Sequence, residues 1–237
     1  VGEMVIMTQN MSLRKVESSK VIQVGGIGYA LDRFGVIHQQ PPYEKFIYDR
    51  KYVEDRYIGI PDKVSQISHL RAGLLVGITS PQKNDAILDV GYGCGGFMAI
   101  VHKLGFNSCG VDVTGFPVPE GCHVVNEDEM RYCHWHAITF FDSVEHMIPH
   151  FLSILNTSYI MISAPFCHEP PGSEWFALWK HRRPHEHLYH FNPDSLKLMM
   201  RYQGFTEVWR GSPEDVVRPS SDGRENTFTG VFARDLL

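Results

Sequence analysis

Apolar runs of strand length alternate with helix-forming segments from residue 85 to the end of the chain. The alternation predicts strands at 86–90, 109–113, 123–126, 137–141, 159–164, 206–210 and 227–233, with helices at 96–104, 144–156 and 192–203. The last of these helices has an N-cap signal in Asn192-Pro193-Asp194-Ser195 and a stop at Gly204. This order predicts an α/β fold with a mostly parallel sheet covered on both faces. The final two strands are expected to pair antiparallel, because no helix fits in the loop between them.

The first 63 residues follow another pattern and are predicted to form an N-terminal extension and cap. Short strands are expected at 20–24 and 29–37, and residues 1–19 are expected to be weakly held. A helix predicted at 64–78 then opens the main domain, residues 64–237. Within it, residues 166–191 lack a helix of ordinary length but carry many aromatic and histidine side chains, which is typical of an ordered substrate-covering lid.

Composition narrows the class of protein. The 237 residues suit one domain with an elaboration, and a hydrophobic content of 43% is enough for a packed core. No apolar run reaches the length of a membrane span, and no secretory signal is recognised, so a cytoplasmic protein is expected. The net charge of −5 leaves Lys180-His181-Arg182-Arg183 as the one obvious basic run, which argues against nucleic acid as a partner.

The five cysteines are odd in number and form no CxxC pair, which favours reduced thiols. The run Cys133-His134-Trp135-His136 has metal-ligating residue types. Adjacent residues on an extended chain point to opposite faces, so these side chains are not expected to converge on an ion. No metal site is predicted.

The most informative segment is Asp89-Val90-Gly91-Tyr92-Gly93-Cys94-Gly95-Gly96, at the end of the first predicted strand of the main domain. Glycine permits positive φ and leaves backbone bare for a ligand. The helix that follows presents unpaired N–H groups at its start. The pattern predicts a nucleotide-type site at the carboxyl edge of the sheet.

Two cofactor classes fit this segment. Gly91, Gly93 and Gly96 satisfy GxGxxG, and Asp112 follows at about the distance of a ribose-binding acid, which is compatible with a nicotinamide dinucleotide. Against that class, Asp89 would stand beside a pyrophosphate, the motif begins late in the chain, and the sheet ends in an antiparallel pair.

These features fit another family, because the segment resembles the DxGxGxG motif of class I S-adenosylmethionine-dependent methyltransferases position for position. The segment 140–146 resembles the fourth-strand region of the ubiquinone-biosynthesis-like branch, and 187–196 with Gly204-Phe205 resembles its later signature. The resemblance covers about residues 64–237. It implies a Rossmann-like seven-stranded sheet, S-adenosylmethionine as methyl donor and methyltransferase activity.

The resemblance also implies a set of cofactor-binding residues. Asp89 would favour the cationic methionine end, which the backbone of the glycine segment approaches, and Asp112 would accept the ribose hydroxyls. Among the acids 127–129, Asp128 is the preferred partner for the adenine amino group, and Arg71 is a candidate for the methionine carboxylate. The full predicted set is Arg71, Asp89, Gly91, Tyr92, Gly93, Gly95, Asp112, Val113, Asp128 and Phe141.

Transfer to a hydroxyl needs a proton acceptor, and histidine suits that role near neutral pH. His146 is the first candidate, since it follows the fourth strand and is expected to face the cleft, with Glu145 orienting it or, as in some relatives, holding a metal. His168 follows the fifth strand and is expected to point the same way. The tyrosines at 48, 52 and 57 are expected to close the site from the other side or to pack as an ordinary helix.

The sequence therefore favours an enzyme that methylates a small-molecule or sugar-like acceptor, most simply at oxygen. A nucleic-acid or nucleotide methyltransferase is the second hypothesis, although residues 142–145 lack the Pro-Pro-aromatic pattern of amino-methyltransferases for DNA. A non-catalytic S-adenosylmethionine-binding partner protein is the third. The expected partner is a small molecule, with no membrane span and with an oligomeric state that the sequence does not set.

Overall fold

Two sheets organise the protein, which a computed structural model describes over residues 20–147 and 149–235. The strands are β1 (Ile22–Val24), β2 (Ile27–Leu31), β3 (Ile37–Gln39), β4 (Ala86–Val90), β5 (Asn107–Val111), β6 (His123–Val124), β7 (Trp135–Phe141), β8 (Thr157–Pro165), β9 (Tyr189–His190), β10 (Phe205–Gly211) and β11 (Thr227–Arg234). The α-helices are α1 (Arg50–Val53), α2 (Pro61–Thr79), α3 (Gly96–Lys103), α4 (Glu127–Tyr132), α5 (Glu174–Leu178) and α6 (Pro193–Tyr202). The prediction for residues 1–19 lies outside the described residues.

The larger sheet has seven strands in the order β6-β5-β4-β7-β8-β11-β10. Its first five strands are parallel, whereas β11 pairs antiparallel with both β8 and β10. This confirms the predicted α/β class, the mostly parallel sheet and the antiparallel C-terminal pair. Because the parallel strands share one direction, the chain leaves β4, β5, β7 and β8 at the same edge.

Apolar side chains cover the sheet on both faces, as predicted for parallel strands. On one face, Leu75 of α2 and Phe97 of α3 pack against Ile87 and Met161. On the other, Leu196 and Met199 of α6 join Leu88 and Phe140 in the larger cluster. None of the helices described here is both long and apolar enough to cross a membrane.

The helix predicted at 144–156 is wrong. The chain instead forms two 3₁₀ turns, Val144–His146 and Pro149–Ile154. Asp142 has a φ of 52°, and Met147 is extended, so the backbone cannot continue as one α-helix. The predicted strand at 123–126 is also shorter, because Asn126 caps α4 with a reciprocal Glu129 hydrogen bond.

The predicted extension and the predicted lid share a second, smaller sheet, which the sequence did not indicate. Its order is β1-β2-β3-β9, with β9 supplied by the lid and every pair antiparallel. Tyr29 and Phe176 meet edge to face in its core, with ring centroids 5.1 Å apart. The extension continues through α1 into a π-helical segment, Glu54–Ile58, before α2 begins.

Four charged side chains form a largely buried network at the carboxyl edge of the larger sheet, with Glu214 fully buried and the other three partly exposed. We call it the buried network. Arg71 of α2 donates to Asp142 (2.8 Å) and to Glu214 (2.9 Å). Arg218 pairs with the same two acids, at 2.9 and 2.6 Å. Burial opposes ionisation, but Arg218 and Arg71 hold the pKa of Asp142 well below its ordinary value. Two cations and two anions thus balance while joining α2, the turn after β7 and the loop between β10 and β11.

We expect Glu214→Gln to lower the free energy of unfolding by about 3–5 kcal/mol, because it leaves a buried cation without its partner. Glu54→Gln is the matched control, since Glu54 pairs with Arg50 on the surface, where an ion pair contributes at most about 1 kcal/mol. Urea denaturation followed by circular dichroism measures both. Equal losses in the two variants would contradict the importance of the buried network.

Candidate active site

A tight turn carries the chain from β4 into α3 at the predicted glycine segment. Gly91 and Gly93 have φ values of 82° and 55°, in the left-handed region that favours glycine. A Cβ on Gly91 would lie 2.7 Å from the Cβ of Ser143, and one on Gly93 would lie 3.3 Å from the ring of Tyr57. Two other parts of the chain therefore pack directly on bare backbone.

A cavity of about 270 Å³ opens beside this turn at the carboxyl edge of the sheet. Its walls come from the glycine turn, from α2, from the residues after β7, and from the lid. Six of the ten predicted cofactor-binding residues line it: Arg71, Asp89, Gly91, Tyr92, Gly93 and Phe141. Two of the catalytic candidates, Glu145 and His146, line it as well. Segments that are far apart in the sequence thus meet around one space.

Asp89 places a buried carboxyl group in the wall of this cavity. Its side chain accepts a hydrogen bond of 2.7 Å from Thr139, its neighbour on β7. Burial raises the pKa of Asp89 to about 7, although Thr139 and Arg71 favour the ionised form. A cationic ligand in the cavity would therefore supply the counter-charge that the ionised carboxylate lacks.

Aromatic residues of the N-terminal extension lie over the same space. Tyr57 and Tyr52 line the cavity, and the Tyr52 hydroxyl donates to Glu186 at 3.2 Å. The Tyr48 hydroxyl lies 2.8 Å from His146 Nδ1. Tyr52 and Tyr57 are therefore part of the cavity wall, and Tyr48 contacts His146 and the lid.

Glu145, His146 and His187 form a cluster at the cavity wall that we call the Glu-His-His cluster. Glu145 is only 1% exposed, and burial with the nearby Asp142 charge raises its pKa to about 8. His146 Nδ1 lies 2.8 Å from the carbonyl oxygen of Glu186, and burial lowers the pKa of the ring. His187 meets His146 edge to face, with centroids 4.8 Å apart, and burial holds its pKa well below the ordinary value. Both imidazoles are therefore neutral near pH 7 and able to accept a proton or a metal ion.

Arg71 lines the cavity but is already engaged. Its Nε and Nη2 donate to Glu214 and Asp142 within the buried network. If Arg71 also binds the carboxylate of a ligand, its guanidinium must serve that carboxylate and these two acids at the same time.

Several predicted residues lie outside the cavity wall. The Asp112 carboxylate accepts from the backbone N–H groups of Gly93 and Thr114, at 2.8 and 2.7 Å, so it joins the end of β5 to the glycine turn. Val113 is 45% exposed, Asp128 is exposed in the first turn of α4, and Gly95 faces Pro119.

The expectation that His168 faces the cleft is wrong. Its ring stacks on Phe166 at 3.9 Å, and its Nε2 lies 2.7 Å from the carbonyl oxygen of Glu225. These contacts hold His168 in the wall of a separate cavity of about 750 Å³. The backbone after β8 pairs with the lid, through the bridge between Phe166 and Phe191, and carries the histidine away from β4.

Sequence reasoning missed four residues around the site: Glu186, Asp142, Glu214 and Arg218. Glu186 is buried and accepts from three side chains, those of Tyr52, Arg56 and Arg183. The spacing of Glu214 and Arg218 by four positions was the one local signal for the buried network. Their partners lie more than seventy positions away, which no local pattern reveals.

Comparison with known proteins adds evidence of descent. A family described as "Methyltransferase domain" matches residues 65–209, more than half of the chain. None of the curated proteins is significantly similar in sequence to this chain.

Solved methyltransferases share the fold at low sequence identity. The magnesium protoporphyrin IX methyltransferase of Synechocystis PCC 6803 aligns with a TM-score of 0.53 at 14% identity, over 78% of this chain and 92% of that one. The 1,6-didemethyltoxoflavin-N1-methyltransferase of Burkholderia thailandensis gives 0.52 at 13%, over 92% and 100%. The geranyl diphosphate C-methyltransferase of Streptomyces coelicolor A3(2) gives 0.55 at 16%, over 82% and 93%.

The cavity fits the methyl donor of this family in its chemistry. S-adenosylmethionine carries a sulfonium and an ammonium group but no phosphate, and Asp89 offers a buried carboxyl group beside the bare glycine backbone. A pyrophosphate would instead meet that carboxyl group as a like charge. Membership of the ubiquinone-biosynthesis-like branch stays a prediction. The motif, the order of the seven strands and the match over residues 65–209 agree, and the chain belongs to the methyltransferase-domain family, as an enzyme whose methyl donor is S-adenosylmethionine.

Proposed function

We propose that this methyltransferase transfers a methyl group to an oxygen atom of a small-molecule acceptor. One observation carries the proposal: a single cavity is lined both by Asp89 with the glycine turn and by the Glu-His-His cluster. The first group suits a cationic methyl donor. The second suits a hydroxyl that must lose its proton.

On the donor side, Asp89 and the backbone around Gly91 and Gly93 would hold the methionine end. When bound, S-adenosylmethionine supplies a methyl group activated by its sulfonium. The protein's own contribution is to place the acceptor in line with that group, and such positioning accounts for much of the rate of a bimolecular displacement. The tyrosines over the cavity and the lid would exclude water.

On the acceptor side, the Glu-His-His cluster is the place where the hydroxyl proton would leave. His146 is half-buried with a lowered pKa, and its ring is fixed through Nδ1 by the Glu186 carbonyl group. That leaves Nε2 as the nitrogen with freedom to face an acceptor.

The size of the cavity and the charge of the chain support a small acceptor. The lid and the extension cover the space from two sides, and the net charge of −5 is unfavourable for a polyanion. Structural neighbours are named for magnesium protoporphyrin IX, 1,6-didemethyltoxoflavin and geranyl diphosphate, all of which are small molecules.

We expect Asp89→Asn to weaken the binding of S-adenosylmethionine at least tenfold at pH 8, because the substitution removes the charge but keeps the shape. A tenfold loss corresponds to about 1.4 kcal/mol. Asp62→Asn, at an exposed position in α2, is the control and should bind as the wild type does. Isothermal titration calorimetry measures both, and unchanged binding by Asp89→Asn would contradict the assignment.

Binding should also depend on pH through Asp89. Its pKa of about 7 means that the carboxyl group is mostly protonated at pH 6 and mostly ionised at pH 8. Because the ionised form favours a cationic ligand, affinity should fall as the pH is lowered through 7, by up to about tenfold per pH unit. The Asp89→Asn variant should lose this dependence, and parallel pH profiles for the two proteins would rule out Asp89 as its source.

We expect His146→Ala to lower kcat by about 10²–10⁴-fold while cofactor binding stays unchanged, since the histidine serves the acceptor rather than the donor. Release of S-adenosylhomocysteine is the readout, across a panel of phenols, catechols and sugars. His168→Ala is the matched control, because that ring lies in another cavity. Full turnover by His146→Ala with an acceptor that the wild type uses would overturn the role.

A further inference from the structure

Three ligating groups converge in the Glu-His-His cluster. Glu145, His146 and His187 each offer one nitrogen or oxygen atom, and these atoms all lie within 4.8 Å of one another. Among residues 20–147 and 149–235, this is the one group of three histidine, cysteine or acidic side chains whose ligand atoms lie so close together.

The polar atoms of the cluster lack partners in the protein. Among the described residues, the two carboxylate oxygens of Glu145 have no hydrogen-bond partner. The Nδ1 atom of His187 has none there either. Both residues are deeply buried, with 1% and 4% exposure. An unsatisfied buried polar group costs about 1–3 kcal/mol, so three in one place indicate a ligand that satisfies them together.

His146 is oriented as a metal-ligating histidine is. Its Nδ1 donates to the Glu186 carbonyl oxygen, and the Tyr48 hydroxyl lies 2.8 Å from the same nitrogen. A backbone carbonyl on one ring nitrogen fixes the tautomer and leaves the other nitrogen unprotonated for an ion. The sequence offered no sign of this contact, because Glu186 lies 40 positions beyond His146 in the chain.

The donor set selects the class of ion. Two imidazole nitrogens and one carboxylate oxygen are typical ligands of Zn²⁺ and of other divalent first-row transition metals, whereas Mg²⁺ and Ca²⁺ prefer oxygen. Tetrahedral Zn²⁺ holds its ligand atoms roughly 3.4 Å apart, so modest side-chain rotations would close the cluster around the ion. Asp142 does not join the set, because Arg71 and Arg218 occupy its oxygens.

We propose that Glu145, His146 and His187 bind one divalent transition-metal ion, with Zn²⁺ as the representative, and that its open position faces the cavity. All three residues line that cavity, and a three-ligand site with an open position is typical of catalytic zinc. The proposal departs from the prediction of no metal site, although the sequence analysis already allowed Glu145 to hold a metal.

Such an ion would give the proposed methyl transfer its acceptor activation, and in this respect the inference rests on the proposed function. A hydroxyl bound to the ion would lose its proton more readily, to solvent as the acceptor enters. The oxygen that remains would attack the methyl carbon while the carbon–sulfur bond breaks, and S-adenosylhomocysteine would leave. His146 would then act as a ligand rather than as the proton acceptor. Loss of activity in His146→Ala agrees with either role, so a binding measurement is needed.

The test titrates Zn²⁺ into the full chain after treatment with a chelator, followed by calorimetry, and repeats the titration with Co²⁺ followed by its visible absorption. We expect one ion per chain and a Co²⁺ spectrum with nitrogen and oxygen ligands. Glu145→Gln and His187→Ala should each lower the affinity at least tenfold. His181→Ala is the matched control, because its ring lies 6.4 Å from that of His187 and lines the cavity without belonging to the cluster.

Each outcome decides the proposal. Absence of stoichiometric binding by the wild type, or equal affinity in Glu145→Gln and His187→Ala, overturns it. Thermal melting and S-adenosylmethionine binding on the same samples show whether a variant is folded, and two independent variants guard against one that is not. Wild-type protein that binds S-adenosylmethionine but no metal refutes this inference alone, whereas protein that binds metal but no S-adenosylmethionine refutes the proposed function alone.

Discussion

The site depends on the buried charge network of Arg71, Asp142, Glu214 and Arg218. Asp142 sits directly after β7 with a φ of 52°, a conformation that costs free energy for a residue other than glycine. Two arginines hold its carboxylate in place, and Glu214 balances their second positive charge. Removing any one member leaves an uncompensated charge in a buried place, so the four residues act as a unit that fixes the turn after β7.

That turn determines what surrounds the cavity. Ser143 follows Asp142, donates to the carbonyl group of Val90 at 2.7 Å and packs on Gly91, so the end of β7 is joined to the end of β4. The next residues form a 3₁₀ turn that carries Glu145 and His146 to the cavity wall. The glycine at position 91 is therefore required by a protein contact as well as by any ligand. One electrostatic network thus joins the two parts of the cavity wall that we propose for the methyl donor and for the acceptor.

Much of the fold follows from local sequence patterns, whereas most of the features that the sequence did not predict depend on long-range contacts. The strands of the larger sheet carry apolar runs, and the glycine turn has a motif, so both were predicted from residues close together in sequence. The 3₁₀ turns after β7 differ from the predicted helix, because no local pattern indicates the positive φ of Asp142. The arginines that bind its carboxylate, Arg71 and Arg218, lie far away along the chain. The pairing of β3 with β9 and the burial of Glu186 are likewise long-range. The prediction for His168 is wrong because the sequence shows that this residue follows a strand but does not show which way the backbone turns after Pro165.

Glu186 shows how the lid and the extension combine to shape the acceptor side. Its carboxylate accepts from Tyr52 and Arg56 of the extension and from Arg183 of the lid, while its carbonyl group orients His146. The next residue, His187, completes the Glu-His-His cluster. The backbone N–H of Gln39 then donates to the carbonyl oxygen of Leu188 at 2.8 Å. Directly after Leu188, β9 pairs with β3. The lid therefore contributes β9 to a sheet that begins with β1, and this pairing joins its C-terminal end to the extension. The proposed acceptor side of the cavity is consequently joined to the N-terminal extension, while the proposed donor side lies at β4 and the glycine turn.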